Sequence, residues 1–397
     1  MRVFIGVEEI AGFAAAYAQG FRRLGHDTFS VLASRHPFYP PSQYDVVVDV
    51  PLTNASAVRR SLRRLKRRVL LVRPFLRALR SCDVFIYLFG TSCLPRHLDY
   101  WILKRFGKRL VTVFLGGDIR YWYAFEQEMR QLGMEDEVRP LIDYLRGRPD
   151  RFYADRIRTV RVAERYADLI LSQPGYGQLQ TRPYMRANIP LDLSQLRFNV
   201  PLREVPLVLH APSNRGVKGT QYVLASVDQL KSEGVRFEFR LIENRSNAQV
   251  RELLAEADIV VDELFADTVG VLSSEGMATG NAVLVRYPAE HAGVPPGCPA
   301  IRVTRDTLTE KLREVIVNRD LRSRVAHAGR PYVERHNDCT RVSQQILDWL
   351  TPGGIQKHDF VPTFYRSFAM PADLVRDEQR EVRRRRWTRI RQLFDRA

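Results

Sequence analysis

The chain has 397 residues, a length that suggests two domains of ordinary size, each large enough to bury its own core. Its 62 lysines and arginines against 45 aspartates and glutamates give a formal net charge of +17, which favours anionic partners such as nucleotide phosphates or acidic lipid head groups. Four scattered cysteines argue against a disulfide framework and a zinc site and favour a reducing cytoplasm, and no apolar run approaches the length of a membrane span.

The amino-terminal residues predict the beginning of a parallel α/β domain. Residues 2–7 form a short apolar run typical of a buried strand, and a helix follows to about Leu24. Residues 28–33 predict a second strand. This strand–helix–strand order is common to doubly wound domains.

Residues 59–80 are strongly basic and carry apolar residues at helical spacing, with a break expected at Pro74. Two interpretations are open: a helix that lies on anionic lipid, or a solvated face above an ordinary core stripe. We do not expect nucleic acid as a partner, because no aromatic-interleaved or zinc-binding signature accompanies the charge. The recurring apolar positions are Leu62, Leu65, Val69, Val72 and Leu76. The basic positions are Arg59, Arg60, Arg63, Arg64, Lys66, Arg67, Arg68, Arg73, Arg77 and Arg80.

The alternation of strands and helices continues along the chain. Strand-like runs at 83–89 and 110–115 flank a helical segment at 98–106, and residues 167–172 predict another strand. The charged segment 121–151 predicts surface helices or an insertion that meets an acceptor. In the second half the predicted strands are 206–210, 236–242, 258–261 and 282–285. The predicted helices are 221–232, 247–255 and 270–279.

Two stretches of the second half carry groups suited to an anion. Residues 210–220 read His-Ala-Pro-Ser-Asn-Arg-Gly-Val-Lys-Gly-Thr, and Arg215 and Lys218 fall in a loop after a strand, where ligands bind in open α/β sheets. Residues 267–280 read Asp-Thr-Val-Gly-Val-Leu-Ser-Ser-Glu-Gly-Met-Ala-Thr-Gly. Their turn feeds a helix whose free N–H groups and dipole favour a phosphate. Together, the loop and the helix end can hold a diphosphate, and Glu275 can reach ribose hydroxyls.

These two stretches resemble the donor site of GT-B glycosyltransferases, specifically the retaining glycosyltransferase family 4. That family carries a Glu-x7-Glu motif, which ends in Glu-Ala-Met-Ala-x-Gly, and an Arg–Lys loop before Gly-Thr or Gly-Val. Here the motif runs from Asp267 to Glu275, and the loop runs from Arg215 to Thr220. The first acid is one methylene shorter than in the family, and the Arg-to-Lys spacing is shorter. The resemblance covers residues 200–350 well and the amino-terminal half in outline.

The resemblance implies an α/β fold of two Rossmann-like doubly wound domains that face a cleft (GT-B). It places an acceptor-side domain at residues 1–200 and a nucleotide-sugar-binding domain at 201–352. A basic tail at 353–397 is expected to pack back on the amino-terminal domain. Within it, residues 383–394 place apolar side chains on one face of an Arg-rich helix. A membrane-surface helix and a solvated helix docked by its apolar side are both open.

The resemblance also assigns roles at the donor site. Arg215 and Lys218 are expected at the phosphates, Glu275 at the ribose, and Asp267 at the donor sugar or its oxocarbenium. Glu243 falls where the nucleotide base packs in this architecture. The backbone N–H groups expected to help at the phosphates are those of Thr268, Val269 and Gly270.

The first half is expected to supply the other wall of the cleft. Asp118 and Arg120 lie in the Gly-rich loop after a predicted strand, and Leu115 stands where the family often has a His. A catalytic role for Asp118 and a structural cap in the turn are both open. Glu9 and Gly12, in the first strand-to-helix turn, are candidates for the acceptor side, although a purely structural turn is equally consistent with the sequence.

The implied function is a glycosyltransferase that moves a sugar from a UDP- or GDP-sugar to a saccharide or lipid-linked acceptor with retention of configuration. Neither a cofactor nor a metal is expected, because the chain has no Asp-x-Asp motif and two cations take the metal's place. The location implied is the cytoplasm, with peripheral contact to the inner membrane face. Two alternatives are open: a GT-B sugar-nucleotide epimerase, and a non-catalytic basic protein that kept the fold and binds membrane surfaces or glycans.

Overall fold

The computed structural model consists of two parallel β-sheets flanked by helices, which confirms the predicted α/β class. Two sets of predicted residues, Asp267 in the donor motif and residues 383–394 in the tail, lie outside the part of the chain that the structure describes. The described residues are 1–50, 57–147, 150–266, 268–288 and 293–362.

The elements follow one another in the alternating order expected of such sheets. The strands are β1 (Arg2–Val7), β2 (Asp27–Leu32), β3 (Val46–Val47), β4 (Val84–Leu88), β5 (Arg109–Val113), β6 (Leu169–Ser172), β7 (Met185–Arg186), β8 (Leu207–His210), β9 (Glu238–Leu241), β10 (Ile259–Val261), β11 (Ala282–Val285) and β12 (Ile301–Arg302). The helices are α1 (Phe13–Arg23), α2 (Ala57–Ser81), α3 (Leu98–Arg105), α4 (Trp122–Gln131), α5 (Arg139–Arg146), α6 (Asp150–Tyr166), α7 (Arg215–Lys218), α8 (Thr220–Ser232), α9 (Asn247–Glu256), α10 (Val271–Thr279), α11 (Leu308–Val317), α12 (Arg319–His336) and α13 (Cys339–Leu350).

The first sheet has the order β3-β2-β1-β4-β5-β6-β7 and is parallel throughout. Helices α1 and α13 cover one face, where Tyr17 and Ile346 belong to one hydrophobic cluster. Helices α2, α3 and α6 cover the other face, where Phe75, Tyr100 and Val160 belong to a second cluster. Helices on both faces explain why the central strands are apolar on both sides.

Helix α2 differs from the sequence expectation in two ways. The break expected at Pro74 is wrong, because the helix continues through this residue to Ser81. The five apolar residues at helical spacing do not form the core stripe, since all of them are exposed. A different stripe, formed by Leu71, Phe75 and Ala78, packs into the core. One interpretation of the sequence placed the five apolar residues in the core beneath a solvated basic face. That choice of core residues is wrong.

The second sheet has the order β12-β11-β10-β8-β9 and is also parallel. Its predicted strands and helices are confirmed to within two residues at each end. The short helix α7 was predicted as a loop. It forms because Asn214 caps it, with its side chain accepting a hydrogen bond from the Val217 N–H, and Gly219 ends it at φ 74°.

The charged segment between β5 and β6 contacts the second sheet rather than solvent alone. Helices α4 and α5 place Phe125, Met129 and Leu141 in the same hydrophobic cluster as Val208 and Ile259. Arg130, Asp143 and Arg146 are exposed, as the sequence suggested, whereas Glu126 is buried. This insertion therefore joins the two halves of the molecule through an apolar contact.

The chain crosses back to the first sheet near its end. Helix α13 packs against α1, and Phe360 pairs with Tyr184 in an antiparallel bridge. The division near residue 200 stays a prediction. Among the described helices, none combines the length and the apolar character that would let it span a membrane.

Candidate active site

The carboxyl ends of both sheets face a shared cavity of about 530 Å³. The first half contributes the loop after β1, the loop after β2, and Leu115 and Tyr176. The second half contributes the loops after β8, β9 and β10 together with the start of α10. A crevice at the carboxyl ends of parallel strands is where open α/β sheets bind ligands.

Helix α10 presents its amino terminus to this cavity. Gly270 is its N-cap residue, and Val271 and Leu272 line the cavity while their N–H groups have no partner within the helix. The helix ends at Gly280 with φ 100°, as the sequence predicted. The positive end of the helix dipole and these N–H groups favour an anion.

Glu275 lies in the second turn of α10 and is almost fully buried at the cavity wall. It accepts a hydrogen bond of 3.0 Å from the Nε of Arg251 and bonds of 3.2 and 3.4 Å from the Asn247 amide. Burial raises the pKa of Glu275, and the nearby Arg251 opposes that shift. The sequence singled out Glu275, whereas both of its partners on α9 were missed.

The residues preceding α10 hold different positions around the cavity. Thr268 lines it, with its hydroxyl 3.5 Å from the Gln173 side-chain oxygen. Val269 is buried in the core of the second sheet. Gly270 packs so closely that a Cβ there would lie 2.9 Å from an oxygen of Glu263.

Lys218 reaches the cavity from the end of α7, but its charge is already matched by two carboxylates. Its Nζ lies 2.7 Å from an Asp262 oxygen and 3.2 Å from a Glu263 oxygen. Burial alone would lower the pKa of Lys218, but the two acids outweigh it and hold that pKa above its ordinary value. The ammonium is therefore charged at neutral pH, and it is connected to the start of α10 through Asp262.

Asp262 and Glu263 were not singled out from the sequence, although they directly follow β10. Asp262 is fully buried and accepts hydrogen bonds from the N–H and the hydroxyl of Ser273, at 3.1 and 2.6 Å. Burial would raise its pKa, but Lys218 holds it below the ordinary value. For Glu263 burial wins and the pKa is raised. The rule that ligand groups follow parallel strands, which we applied after β8, would have identified both acids.

Arg215 does not share the position of Lys218. Its side chain is 58% exposed and forms a two-point ion pair with Glu243, with N···O distances of 2.7 and 2.5 Å. The sequence analysis assigned Arg215 to the phosphates and Glu243 to the nucleotide base, and the structure pairs these two residues with each other. An exposed cation at this edge, Arg245 in the loop after β9, lines the cavity directly and was missed.

His210, at the end of β8, has a structural role. It is fully buried, and its two ring nitrogens lie 2.8 Å from the Val261 carbonyl oxygen and 2.9 Å from the Thr220 hydroxyl. The nitrogen near the carbonyl donates and the other accepts. Burial lowers the pKa of His210, which matches the neutral ring that this pattern requires.

Asp118 lies in the turn after β5 and is nearly fully buried. Both of its oxygens accept from the Leu115 N–H, at 3.1 and 3.3 Å, so the carboxylate caps this turn. Burial raises the pKa of Asp118 to about 7. Leu115, rather than Asp118, is among the residues that line the cavity.

Arg120 comes from the same turn and lies over two aromatic rings. Its guanidinium carbon is 5.2 Å from the Phe125 ring centre and 5.6 Å from that of Tyr176. Burial raises the pKa of Glu263, and Arg120 is, after Lys218, one of the positive groups that oppose this shift, which places its charge near the acids of the second half. Arg120 is thus a positive group of the first half that lies near these acids without being among the residues that line the cavity.

Glu9 and Gly12 shape the first turn. Glu9 is buried and accepts from the N–H groups of Ala14 and Ala15 and, at 2.6 Å, from the Tyr44 hydroxyl. Burial raises the pKa of Glu9. Gly12 has φ 86°, and a Cβ there would lie 3.2 Å from the Tyr39 ring. Glu9 therefore stabilises the start of α1, and the turn meets the cavity through its neighbour Ala11.

Within the described ranges, no group of three or more His, Cys, Asp or Glu side chains is placed to hold a metal ion. The cavity instead offers a helix amino terminus, one ammonium shared by two carboxylates, and a buried carboxylate on α10. This set can bind a phosphate-bearing ligand with hydroxyl groups.

Comparison with known proteins supports the fold. No model of a known family matches the chain, and no curated protein matches it in sequence. Its structure is similar to that of sucrose-phosphate synthase from Thermosynechococcus elongatus, with a TM-score of 0.59 and 10% identity over 87% of this chain and 97% of that one. An alpha-glucosyltransferase, in complex with UDP and a 13-mer DNA, gives a TM-score of 0.52 and 12% identity over 89% and 100%.

A UDP-N-acetylglucosamine 2-epimerase is similar as well, with a TM-score of 0.50 and 10% identity over 88% of this chain and 95% of that one. At these identities the likeness concerns the fold. A synthase, a glucosyltransferase and an epimerase share it. The chain therefore has the GT-B fold.

Proposed function

We propose that the protein is a glycosyltransferase that transfers a sugar from a nucleoside-diphosphate sugar to a saccharide or lipid-linked acceptor. The observation that carries this proposal is the meeting of the α10 amino terminus, Lys218 and Glu275 at one cavity between the two sheets. The UDP bound by the structurally similar alpha-glucosyltransferase agrees with a nucleotide donor. Retention of configuration, catalysis without a metal and a cytoplasmic location remain parts of the proposal.

The diphosphate would lie against the start of α10. Free N–H groups of Val271 and Leu272 and the helix dipole stabilise negative charge there, and this charge grows as the sugar–phosphate bond breaks. Lys218 supplies the nearest ammonium. Because Asp262 and Glu263 already bind it, the incoming phosphate must compete with the weaker contact, the 3.2 Å one to Glu263.

Further cations would compensate for this competition. Arg245 lines the cavity, and Arg120 acts on Glu263 from the first half. Arg215 would have to leave Glu243 to reach a phosphate, so we assign it a secondary role. Lys218 and Arg245 thus lie at the expected diphosphate position, and Arg120 adds positive charge nearby from the first half.

The ribose and the sugar would occupy the deeper part of the cavity. Glu275 is fixed by Asn247 and Arg251 and offers a carboxylate to ribose hydroxyls. The donor sugar would extend toward Leu115 and Tyr176, on the wall formed by the first half, where the acceptor also enters. Asp267 keeps its proposed role at the sugar from the sequence motif.

The first test is a thermal-shift screen of the full chain with UDP, GDP and their sugars. A ligand at 100 times its Kd stabilises the folded state by about 2.7 kcal/mol, so a rise in Tm of several degrees is expected for one nucleotide series. Slow release of free UDP or GDP from the matching nucleotide sugar would then support transferase activity. Conversion of the sugar without release of the nucleotide would instead identify an epimerase.

Variants connect this result to the site. Glu275→Gln keeps the side-chain shape and should weaken nucleotide binding at least tenfold. Glu334→Gln, an exposed change in α12, should leave it unchanged. If calorimetry detects no binding of any nucleotide or nucleotide sugar, the proposal fails.

A further inference from the structure

Helix α2 carries a second apolar stripe that no described part of the protein covers. Leu62, Leu65 and Val69 are 59–60% exposed, and Val72 and Leu76 continue the same line toward the end of the helix. At 3.6 residues per turn these five side chains fall within about 80° of arc, so they form one continuous stripe. Scattered exposed apolar residues are ordinary, whereas an aligned stripe of this length indicates a binding surface.

The helix is anchored so that this stripe faces outward. Leu71, Phe75 and Ala78 lie on the opposite side and are buried in the core of the first sheet. The exposed stripe therefore does not arise from a poorly packed helix. It is a separate surface on an element that the core already holds in place.

Positive charge borders the stripe along one edge. Lys66, Arg73, Arg77 and Arg80 are exposed and lie within about 100° of the stripe's centre by helical geometry. The helix contains no Asp or Glu. An apolar stripe with a basic border is the pattern of helices that lie in the plane of a membrane surface.

Helix α3 adds to this surface. It covers the same face of the first sheet as α2, because Tyr100 and Leu103 belong to the cluster that buries Phe75. Its outer side exposes Trp101, and Phe106 follows directly after its end, at 63% exposure. Tryptophan favours the interface between lipid head groups and water, and the exposed phenylalanine ring adds apolar surface beside it.

A pocket of about 290 Å³ opens between α2 and the loop that leads to α3. Arg68 and Arg96 line it, both are exposed, and neither forms an ion pair with any described residue. Two exposed guanidinium groups in one pocket suit a phosphate group. Val7 also lines this pocket, and Ile10, three residues later in the chain, lines the cavity between the two sheets.

We propose that the outer surface of α2 and α3 binds an anionic lipid bilayer, with the apolar stripe inserted and a lipid phosphate in the Arg68–Arg96 pocket. Two other occupants explain less of the surface. Nucleic acid would match the arginines but leave the leucine stripe in water. A second copy of the chain, paired through the same surface, would bring the two basic borders together. The proposal does not depend on the transferase chemistry, since it concerns different residues.

The test is sedimentation of the full chain with vesicles of phosphatidylcholine, with or without 30% phosphatidylglycerol. We expect the partition coefficient to be on the order of 100-fold higher with the anionic lipid and to fall in 0.5 M salt, because each Lys or Arg near the surface contributes about fivefold. Free inorganic phosphate at millimolar concentration should not release the protein, which distinguishes a bilayer from a soluble phosphate ligand.

Two double variants test the two parts of the surface. Leu65→Ser with Val69→Ser should reduce binding to anionic vesicles on the order of 10- to 100-fold, and Lys66→Glu with Arg73→Glu by about 100-fold or more. Both should keep the wild-type Tm, because the four side chains are exposed. The matched controls are Leu132→Ser with Val317→Ser, and Arg236→Glu with Lys357→Glu, at exposed positions away from α2 and α3. These should bind like the wild type.

Each remaining outcome would overturn the proposal. Equal binding to both kinds of vesicle would remove the role of charge. Anionic binding that both α2 variants retain would place the membrane contact elsewhere in the chain. Failure to bind vesicles, together with a dimer that Leu65→Ser and Val69→Ser dissociate, would identify a second copy as the occupant.

Discussion

Replacing Lys218 by Met tests how the acids around the candidate site are held. The wild-type ammonium lies 2.7 Å from Asp262 and 3.2 Å from Glu263, and the lysine side chain is only 14% exposed. Methionine has a similar length and no charge. The variant therefore leaves two buried carboxylates next to each other without a cation, which should destabilise the fold.

The loss in the free energy of unfolding depends on how the variant responds: it can keep an unpaired buried carboxylate, or one carboxyl can take up a proton. The response that costs less free energy sets the size of the loss. Removing one partner of a buried ion pair costs about 3–5 kcal/mol. A carboxyl can instead take up a proton, which at pH 7 costs about 4 kcal/mol for an ordinary pKa near 4. We therefore expect a loss of about 3 kcal/mol at pH 7. At pH 5 proton uptake costs only about 1 kcal/mol, so the loss should shrink to that size.

Equilibrium urea unfolding, followed by circular dichroism at pH 5 and pH 7, measures both values. Lys311→Met is the control, because this lysine is 40% exposed and its pair with Glu314 should contribute less than about 1 kcal/mol. Adding Glu263→Gln to Lys218→Met should recover more than 1 kcal/mol at pH 7. A Lys218→Met loss that is below 1 kcal/mol at pH 7, or equal at the two pH values, would refute the reasoning.

Two further predictions concern other buried features. Burial raises the pKa of Asp118 to about 7, so the unfolded chain releases this proton at lower pH than the folded one and the wild type loses stability as pH rises toward 7. In urea titrations, the free energy of unfolding of Asp118→Asn should fall by about 2 kcal/mol less between pH 5 and pH 7 than that of the wild type. An equal fall in the two proteins would contradict this prediction. Gly280→Ala should destabilise by more than 2 kcal/mol, because φ is 100° and the new Cβ would lie 2.5 Å from the Asn199 carbonyl oxygen. The comparison is Gly25→Ala, with φ 78° and no atom within 4 Å, which should cost only about 1 kcal/mol in a thermal melt; equal costs would exclude the steric contribution.

The sequence predicted four of the five strands of the second sheet, because each of the four has a local signal, whereas the two-residue edge strand β12 (Ile301–Arg302) was not predicted. The run at β11 is continuous and apolar, and the helix before it ends at Gly280, as its glycine cap indicates. Asn214 and Gly219 also carry a local cap signal for α7, but four residues are too few for a helical pattern to be recognised.

Contacts between distant residues could not be predicted in the same way. The pairing of Lys218 with Asp262 joins residues 44 positions apart, and only the neighbouring positions of β8 and β10 in the sheet bring them together. For α2, helical periodicity detected one apolar stripe and could not decide whether it faces the core. The stripe that faces the core, which includes Phe75, has a similar helical spacing, so periodicity alone does not distinguish the two stripes.

The insertion formed by α4 and α5 has a consequence for how the molecule can be divided. By chain order these helices belong to the first sheet, yet Leu141 packs with the strands of the second, and Arg286 after β11 pairs with Glu137 beside α5. A polypeptide that began near residue 200 would lack the cover for that hydrophobic surface. The two halves of this protein are therefore not interchangeable modules, and a chimera that exchanges the second half must carry residues 122–146 with it.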